Sequence, residues 1–128
     1  MKYIIPGLRE KYNIPNIKSL NLSIDDVLKL PNISNDSTLI GFSIGAIIAY
    51  LISLKQPIKH LVICSPSPII TKYVKPKSKI TIIVGAKEHK SQISNAKILA
   101  KKWGVELNYV YSGHKMTNNY IKKIKELI

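Results

Sequence analysis

Along this chain of 128 residues, segments with the apolar pattern of a strand alternate with segments that have the apolar spacing of a helix. Short β-branched and aromatic runs predict six strands, at residues 2–5, 17–22, 38–42, 59–64, 79–84 and 105–111. Apolar residues at helical spacing predict three longer helices, at about residues 44–55, 90–103 and 116–128. Strands that alternate with helices favour a parallel sheet with helices on both of its faces.

Weaker local signals mark the remaining segments. The run Ser23-Ile24-Asp25-Asp26 resembles a capping box and predicts a short helix that ends before Pro31. Residues 65–78 contain three prolines and no helical period, so we expect an irregular connection there.

The run Gly41-Phe42-Ser43-Ile44-Gly45 lies where the third predicted strand meets the first long helix. In that context a G-x-S-x-G pattern predicts a nucleophile elbow, a sharp turn that lifts the serine hydroxyl clear of the sheet edge. Gly41 and Gly45 suit this turn because a β-carbon at either position would collide with backbone. The helix that begins near Ile44 directs its N–H groups and positive dipole end toward the Ser43 hydroxyl.

The same stretch has an alternative interpretation as a membrane span, because no charged residue interrupts residues 37–54. Its length is marginal, and a helix through two glycines and a serine would be a poor one. We therefore favour the strand, turn and helix and expect no transmembrane segment.

Length and composition predict one domain in a reducing compartment. With 45% hydrophobic residues, 128 residues are enough to fold around a core of their own. The single cysteine, Cys64, excludes an internal disulfide framework. Pro6 and Gly7 interrupt the first apolar run too early for a signal peptide, so the cytoplasm is the expected location.

The net charge of +13 raises nucleic acid and anionic membranes as partners. The lysines are scattered along the chain, however, and no aromatic residues alternate with a basic cluster as in proteins that stack bases. We expect most of them on solvated faces and no specific nucleic-acid partner.

Candidate chemistry gathers where the carboxyl ends of parallel strands are expected to meet. Ser43, Glu88 and His114 each follow a predicted strand within a few residues, whereas most other acids and His60 lie at the opposite edge or in helices. The order serine, acid, histidine is the one expected after an elbow. Each residue also has a plain alternative, as a turn serine, a solvated loop charge and a locally bonded histidine. His89 is interpreted as a surface residue.

With these motifs, the chain resembles an α/β-hydrolase that lacks the first two strands of the family. The resemblance implies a three-layer, doubly wound α/β fold with a six-stranded, mostly parallel sheet in the order 2-1-3-4-5-6. Within it, residues 80–88 correspond to the segment that delivers the acid, and Ser112-Gly113-His114 to the segment that delivers the histidine. Glu88 departs from the aspartate that is usual in the family, and residues 65–78 replace the usual crossover helix and any lid.

The resemblance also implies an oxyanion hole. The implied strand order places the first strand beside the third, so the turn Pro6-Gly7-Leu8 would face the serine. Backbone N–H groups of Leu8 and Ile44 would then stabilise the oxyanion. Pro6 is a departure, because many members of the family have histidine before this glycine.

The implied function is a serine hydrolase that cleaves small, accessible esters or thioesters through a triad of Ser43, His114 and Glu88 and an acyl-enzyme, with no metal or cofactor. Two other classes stay open. One is a binding module that kept the fold with weak or no turnover, and the other is a nucleotide-binding doubly wound domain. The chain has no G-x-G-x-x-G or P-loop pattern to support the latter. An exposed sheet edge is a candidate surface for a homodimer.

Overall fold

The computed structural model describes residues 1–7, 10–22, 32–72 and 74–128. Six strands form one sheet in the order β2-β1-β3-β4-β5-β6, and each neighbouring pair is parallel. The predicted α/β fold class and strand order are therefore confirmed. In chain order the strands are β1 Lys2–Ile5, β2 Lys18–Ser19, β3 Thr38–Phe42, β4 His60–Cys64, β5 Lys79–Gly85 and β6 Leu107–Val110.

Helices cover both faces of the sheet. Three α-helices are described, α1 Ile44–Lys55, α2 Lys90–Trp103 and α3 Asn118–Leu127, together with a short 3-10 helix at Pro68–Lys72. Helices α1 and α2 pack against one face, and α3 packs against the other. The sheet is thus the middle of three layers.

Alternate residues of the central strands enter two separate cores. Leu61 and Ile82 pack beneath α1 and α2, whereas the next residues along the same strands, Val62 and Ile83, pack against α3. Burial on both faces explains why these strands are continuous apolar runs in the sequence. Each such side chain contributes about 1.5–3 kcal/mol of hydrophobic free energy when it is removed from water.

The predicted strand limits are least accurate at the edges of the sheet. The second and sixth strands were predicted at residues 17–22 and 105–111, but they span only Lys18–Ser19 and Leu107–Val110. Each is an edge strand with one neighbour, so only the residues that meet that neighbour's ladder become strand. The helix predicted after Ser23 lies outside the described residues.

The connection between β4 and β5 is more ordered than predicted. Residues 65–78 were expected to be irregular, but the 3-10 helix Pro68–Lys72 lies within them. Its proline suits a first helical turn because the fixed φ is already helical. Ile70 is fully buried in the core beneath α1 and α2, which anchors the short helix to the sheet.

Local side-chain signals set the helix ends. Gly104 ends α2 with a left-handed φ of 65°. At the start of α3, the side chain of Thr117 accepts a hydrogen bond from the N–H of Tyr120, so this helix begins at Asn118 rather than at the predicted Met116.

The uncharged stretch 37–54 does not form one long helix. It divides into β3 and α1, with a turn between them. Across the described ranges, no helix combines the length and the apolar character needed to cross a membrane. The membrane-span interpretation of this stretch is therefore wrong.

Candidate active site

Ser43 occupies a sharp turn between β3 and α1. Its backbone angles, φ 58° and ψ −118°, lie in a region that residues with a side chain rarely adopt. Such a conformation costs about 1–3 kcal/mol and persists only where the surrounding structure imposes it. Here the Ser43 N–H donates to the carbonyl oxygen of Cys64 at 2.9 Å, which ties the turn to the end of β4.

The two glycines of the motif allow close backbone packing around this turn. A β-carbon on Gly41 would lie 2.4 Å from the carbonyl oxygen of Gly45. A β-carbon on Gly45 would lie 2.1 Å from the carbonyl oxygen of Ile5 and 2.6 Å from that of Pro6. Gly41 is therefore needed by the turn itself, whereas Gly45 is needed because α1 packs directly against the end of β1.

Three of the predicted site residues form a continuous hydrogen-bonded chain. Ser43 Oγ lies 2.9 Å from His114 Nε2, and His114 Nδ1 is hydrogen-bonded to Glu88 Oε1. The Glu88 side chain is 0% exposed, whereas that of His114 is 44% exposed. The imidazole thus joins an accessible hydroxyl to a buried carboxylate. Its ring also packs on Phe42, with ring centroids 5.2 Å apart.

The second carboxylate oxygen of Glu88 is satisfied within the protein. Glu88 Oε2 accepts hydrogen bonds from Ser65 Oγ at 2.7 Å and from the Gly85 N–H at 2.6 Å. With His114 on Oε1, three donors compensate for removing this group from water.

Backbone contacts hold the loops that carry Glu88 and His114 together. The N–H of Lys87 donates to the carbonyl oxygen of Ser112 at 3.0 Å. The Ser112 hydroxyl in turn donates to the carbonyl oxygen of Lys115 at 3.0 Å, which closes the loop around the histidine. The separation of acid and histidine is therefore set by backbone as well as by their own hydrogen bond.

Two buried hydroxyl groups that no sequence pattern indicated, those of Ser65 and Tyr120, lie on the side of Glu88 away from His114. The hydroxyls of Ser65 and Tyr120 lie 2.8 Å apart, and Tyr120 also donates to the carbonyl oxygen of Ile83 at 3.1 Å. Burial raises the pKa of the Tyr120 hydroxyl and the pKa of the neighbouring Cys64 thiol well above their usual ranges, so both stay neutral. One signal could have found Ser65, since it directly follows β4 at the same sheet edge.

Of the two residues predicted to form an oxyanion hole, Ile44 lies within the described part of the chain. Ile44 is the first residue of α1, where N–H groups have no partner within the helix. Leu8 lies outside the described residues. Its neighbour Gly7 is close to the elbow, because a β-carbon there would lie 3.6 Å from the Phe42 ring.

The other two histidines are placed away from Ser43. His60 is buried at the opposite edge of the sheet, where its Nε2 lies 2.7 Å from Thr81 Oγ1. Burial lowers the pKa of His60, and the positive charges of Lys79 and Lys59 lower it further. His89 is exposed, and its ring accepts a hydrogen bond from the Ser91 N–H at the start of α2. Of the three histidines, His114 is therefore the one that lies within hydrogen-bond distance of Ser43.

Residues suited to a metal do not cluster in the described parts of the chain. No group of three or more histidine, cysteine or acidic side chains there is arranged to hold a metal ion. The polar groups at this edge are instead occupied by one another, from Ser43 through His114 to Glu88.

No family model matches the sequence, and no curated protein matches it. Solved structures do match. A protein from Pectobacterium atrosepticum assigned as a YdeN-like hydrolase aligns with a TM-score of 0.72 over 98% of this chain and 89% of its own, at 18% identity. The α/β-hydrolase MGS-MChE2, from a sediment metagenome of the Mar Chica lagoon in Morocco, aligns with a TM-score of 0.59 over 73% of this chain and 59% of its own, at 17% identity.

The esterase PE8 aligns with a TM-score of 0.52 over 73% of this chain, at 21% identity. The aligned part is 49% of PE8, so the chain spans about half the length of that enzyme. At such identities the likeness establishes the architecture, and this chain has the α/β-hydrolase fold. The family resemblance predicted from the sequence is confirmed at that level.

Proposed function

We propose that this protein is a serine hydrolase in which Ser43 is the nucleophile, His114 the general base and Glu88 the acid that orients the histidine. The observation that carries the proposal is the chain of hydrogen bonds from an accessible hydroxyl on a strained turn to a buried carboxylate. The fold supports it, because structures of the same fold include an esterase and a protein assigned as a hydrolase.

In the proposed reaction His114 Nε2 accepts the proton of Ser43 Oγ as that oxygen attacks a carbonyl carbon. The resulting imidazolium is stabilised by Glu88 through Nδ1. The tetrahedral intermediate collapses when His114 returns the proton to the leaving group, which leaves an acyl-enzyme on Ser43. A water molecule then attacks the acyl carbon while His114 accepts its proton. His114 returns that proton to Ser43 Oγ as the carboxylic acid product leaves.

The oxyanion formed in both steps needs donors that are already in place. We assign the Ile44 N–H to this role, because it lies next to Ser43 at the positive end of α1. The Leu8 N–H is the proposed second donor. This assignment rests on the pairing of β1 with β3, which sets Ile5, three residues before Leu8 in the chain, opposite Gly41 at the elbow.

Labelling with a fluorophosphonate probe tests the nucleophile. We expect the folded protein to react at Ser43 alone, located by peptide mapping, and Ser43→Ala to abolish both labelling and ester hydrolysis. Ser67→Ala, a change in the connection after β4, is the matched control and should react normally. Absence of an adduct on the folded wild-type protein would instead favour the binding module that keeps the fold without turnover.

The proposed substrate is a small, accessible ester or thioester. In family members that act on long acyl chains, a helical lid commonly follows the strand corresponding to β4. Here the described part of that connection contains the five-residue helix Pro68–Lys72, which is pinned to the core through Ile70. A short anchored segment can line a cleft, but it cannot close over a long chain and exclude water.

A series of nitrophenyl esters tests this substrate class. We expect kcat/KM not to rise between butyrate and chains of twelve carbons or more, since the gain of about 0.8 kcal/mol per buried methylene is unavailable without a covered pocket. Rates should not rise when the substrate forms micelles. A preference for long chains, or activation at the micelle interface, would contradict the small-substrate proposal and leave the role of Ser43 untouched.

A further inference from the structure

We propose that Ser65 is a positioning residue, which holds the Glu88 carboxylate in the orientation that His114 requires. The Tyr120 hydroxyl, which contacts the Ser65 hydroxyl, holds Ser65 in turn. This inference rests on the proposed hydrolase function and extends it to residues outside the predicted triad. It assigns a role to a buried hydroxyl group that touches neither solvent nor Ser43.

The direction of the hydrogen bonds follows from what each group can do. An ionised carboxylate only accepts, so the Ser65 hydroxyl donates to Glu88 Oε2 across 2.7 Å. The Ser65 oxygen can then only accept, and the Tyr120 hydroxyl faces it at 2.8 Å. That single tyrosine proton is shared with the carbonyl oxygen of Ile83 at 3.1 Å. The tyrosine is kept neutral by burial, so it is available as a donor.

The backbone of Ser65 favours a role for its side chain. Its φ of 49° lies in the left-handed region, where glycine or asparagine is the usual residue. A serine therefore carries conformational strain at this position. Its side chain is fully buried, which excludes it as a nucleophile and leaves its hydrogen bonds to Glu88 and Tyr120 as the features that a glycine would lack.

The position of Ser65 is fixed from two sides. Its N–H donates to the carbonyl oxygen of Ile83 at 2.8 Å, which continues the ladder of β4 and β5. The next residue, Pro66, accepts a hydrogen bond of 2.6 Å at its carbonyl oxygen from the side chain of Gln92 in α2. The hydroxyl thus meets Glu88 from a rigid frame.

Loss of this donor should affect the chemical step and spare substrate binding. The Gly85 N–H alone would then hold Glu88 Oε2, and the carboxylate could rotate away from His114 Nδ1. The imidazolium that forms in the transition state would be less stabilised, so kcat should fall. KM should stay the same, because Ser65 is buried beneath the acid and does not face a bound ester.

A double-mutant cycle tests this. We expect Ser65→Ala to lower kcat by about tenfold in the wild type, which matches the loss of one hydrogen bond to a charged group, and by less than about twofold when Glu88 is already alanine. Ser65→Gly should lower kcat equally although it relieves the backbone strain. Tyr120→Phe, which keeps the ring against Phe42, should cost about twofold to threefold alone and nothing further in the Ser65→Ala background.

An NMR measurement keeps the test independent of turnover. The proton between His114 Nδ1 and Glu88 Oε1 gives a signal far downfield, assigned by its loss in Glu88→Ala. We expect Ser65→Ala and Ser65→Gly to shift or broaden this signal, and Ser67→Ala to leave it unchanged. If the protein shows no hydrolysis or labelling while the shift occurs, the proposed function fails and the positioning role stands.

Two results would overturn the inference alone. One is an active enzyme in which Ser65→Ala lowers kcat equally with and without Glu88, which indicates a general structural role. The other is an unchanged His114 signal in both Ser65 variants. If neither Ser65 variant folds, Tyr120→Phe decides the question, and an unmoved signal and kcat in that variant count against the inference.

Discussion

His114→Ala is expected to lower kcat/KM for a short-chain ester by about 10⁴- to 10⁶-fold. Within the described parts of the chain, His114 Nε2 is the side-chain partner of Ser43 Oγ, so no other base there is placed to take the Ser43 proton once the imidazole is removed. The remaining rate should reflect substrate binding and the proposed oxyanion donors. Steady-state kinetics with nitrophenyl acetate measures the loss, and unfolding curves check that the variant is folded.

Matched variants make this result specific. His89→Asn removes another exposed histidine but keeps an acceptor for the Ser91 N–H at the start of α2, so both stability and kcat should be close to wild type. Glu88→Ala should be less severe than His114→Ala by about two orders of magnitude, because the acid acts through the histidine. A His114→Ala enzyme with near-normal turnover would rule out the proposed base.

The central part of this fold could be predicted because its local signals agree. Strands β3, β4 and β5 are buried on both faces, and their apolar runs are unmistakable in the sequence. Parallel pairing brings the carboxyl ends of these strands and of β6 to one edge, which is why Ser43, Glu88 and His114 could be selected without coordinates.

Contacts between distant segments could not be predicted in this way. Ser65 and Tyr120 are 55 residues apart, and neither has a distinctive local pattern. Ser65 was assigned only to an irregular connection, because residues 65–78 contain three prolines and no helical period. Its hydrogen bond to Glu88 is made from a left-handed φ, and its contact with Tyr120 depends on the packing of α3. A local sequence pattern encodes neither.

Gly45 was predicted as part of the elbow, but its contact with a distant segment could not be predicted from the motif. The G-x-S-x-G pattern assigned Gly45 to the elbow and attributed the need for a glycine there to the turn. The structure shows that the atoms a β-carbon would strike belong to Ile5 and Pro6, about 40 residues earlier in the chain. The second glycine of the motif is therefore required by a tertiary contact between α1 and the end of β1, in addition to the local conformation of the turn.

Gly45→Ala is accordingly expected to destabilise the fold by about 3 kcal/mol and to slow fluorophosphonate labelling of Ser43 strongly in whatever fraction stays folded. The added methyl group would lie 2.1 Å from the carbonyl oxygen of Ile5, so β1 and α1 must separate. That separation displaces the turn that carries Ser43. Urea unfolding followed by the fluorescence of Trp103, the single tryptophan, buried beside α1, measures the free energy of unfolding.

Alanine substitutions at two other glycines are controls, which test whether the effect at Gly45 comes from this clash or from any replacement of glycine by alanine. Gly113→Ala lies next to His114, but its β-carbon meets nothing within 4 Å, so stability should change by less than about 0.5 kcal/mol and labelling should persist. Gly104→Ala has the same open space but a φ of 65°, so it should cost about 1–2 kcal/mol without slowing the labelling of Ser43. If Gly45→Ala were as mild as Gly113→Ala, the close packing of β1 against α1 would not be what positions the elbow.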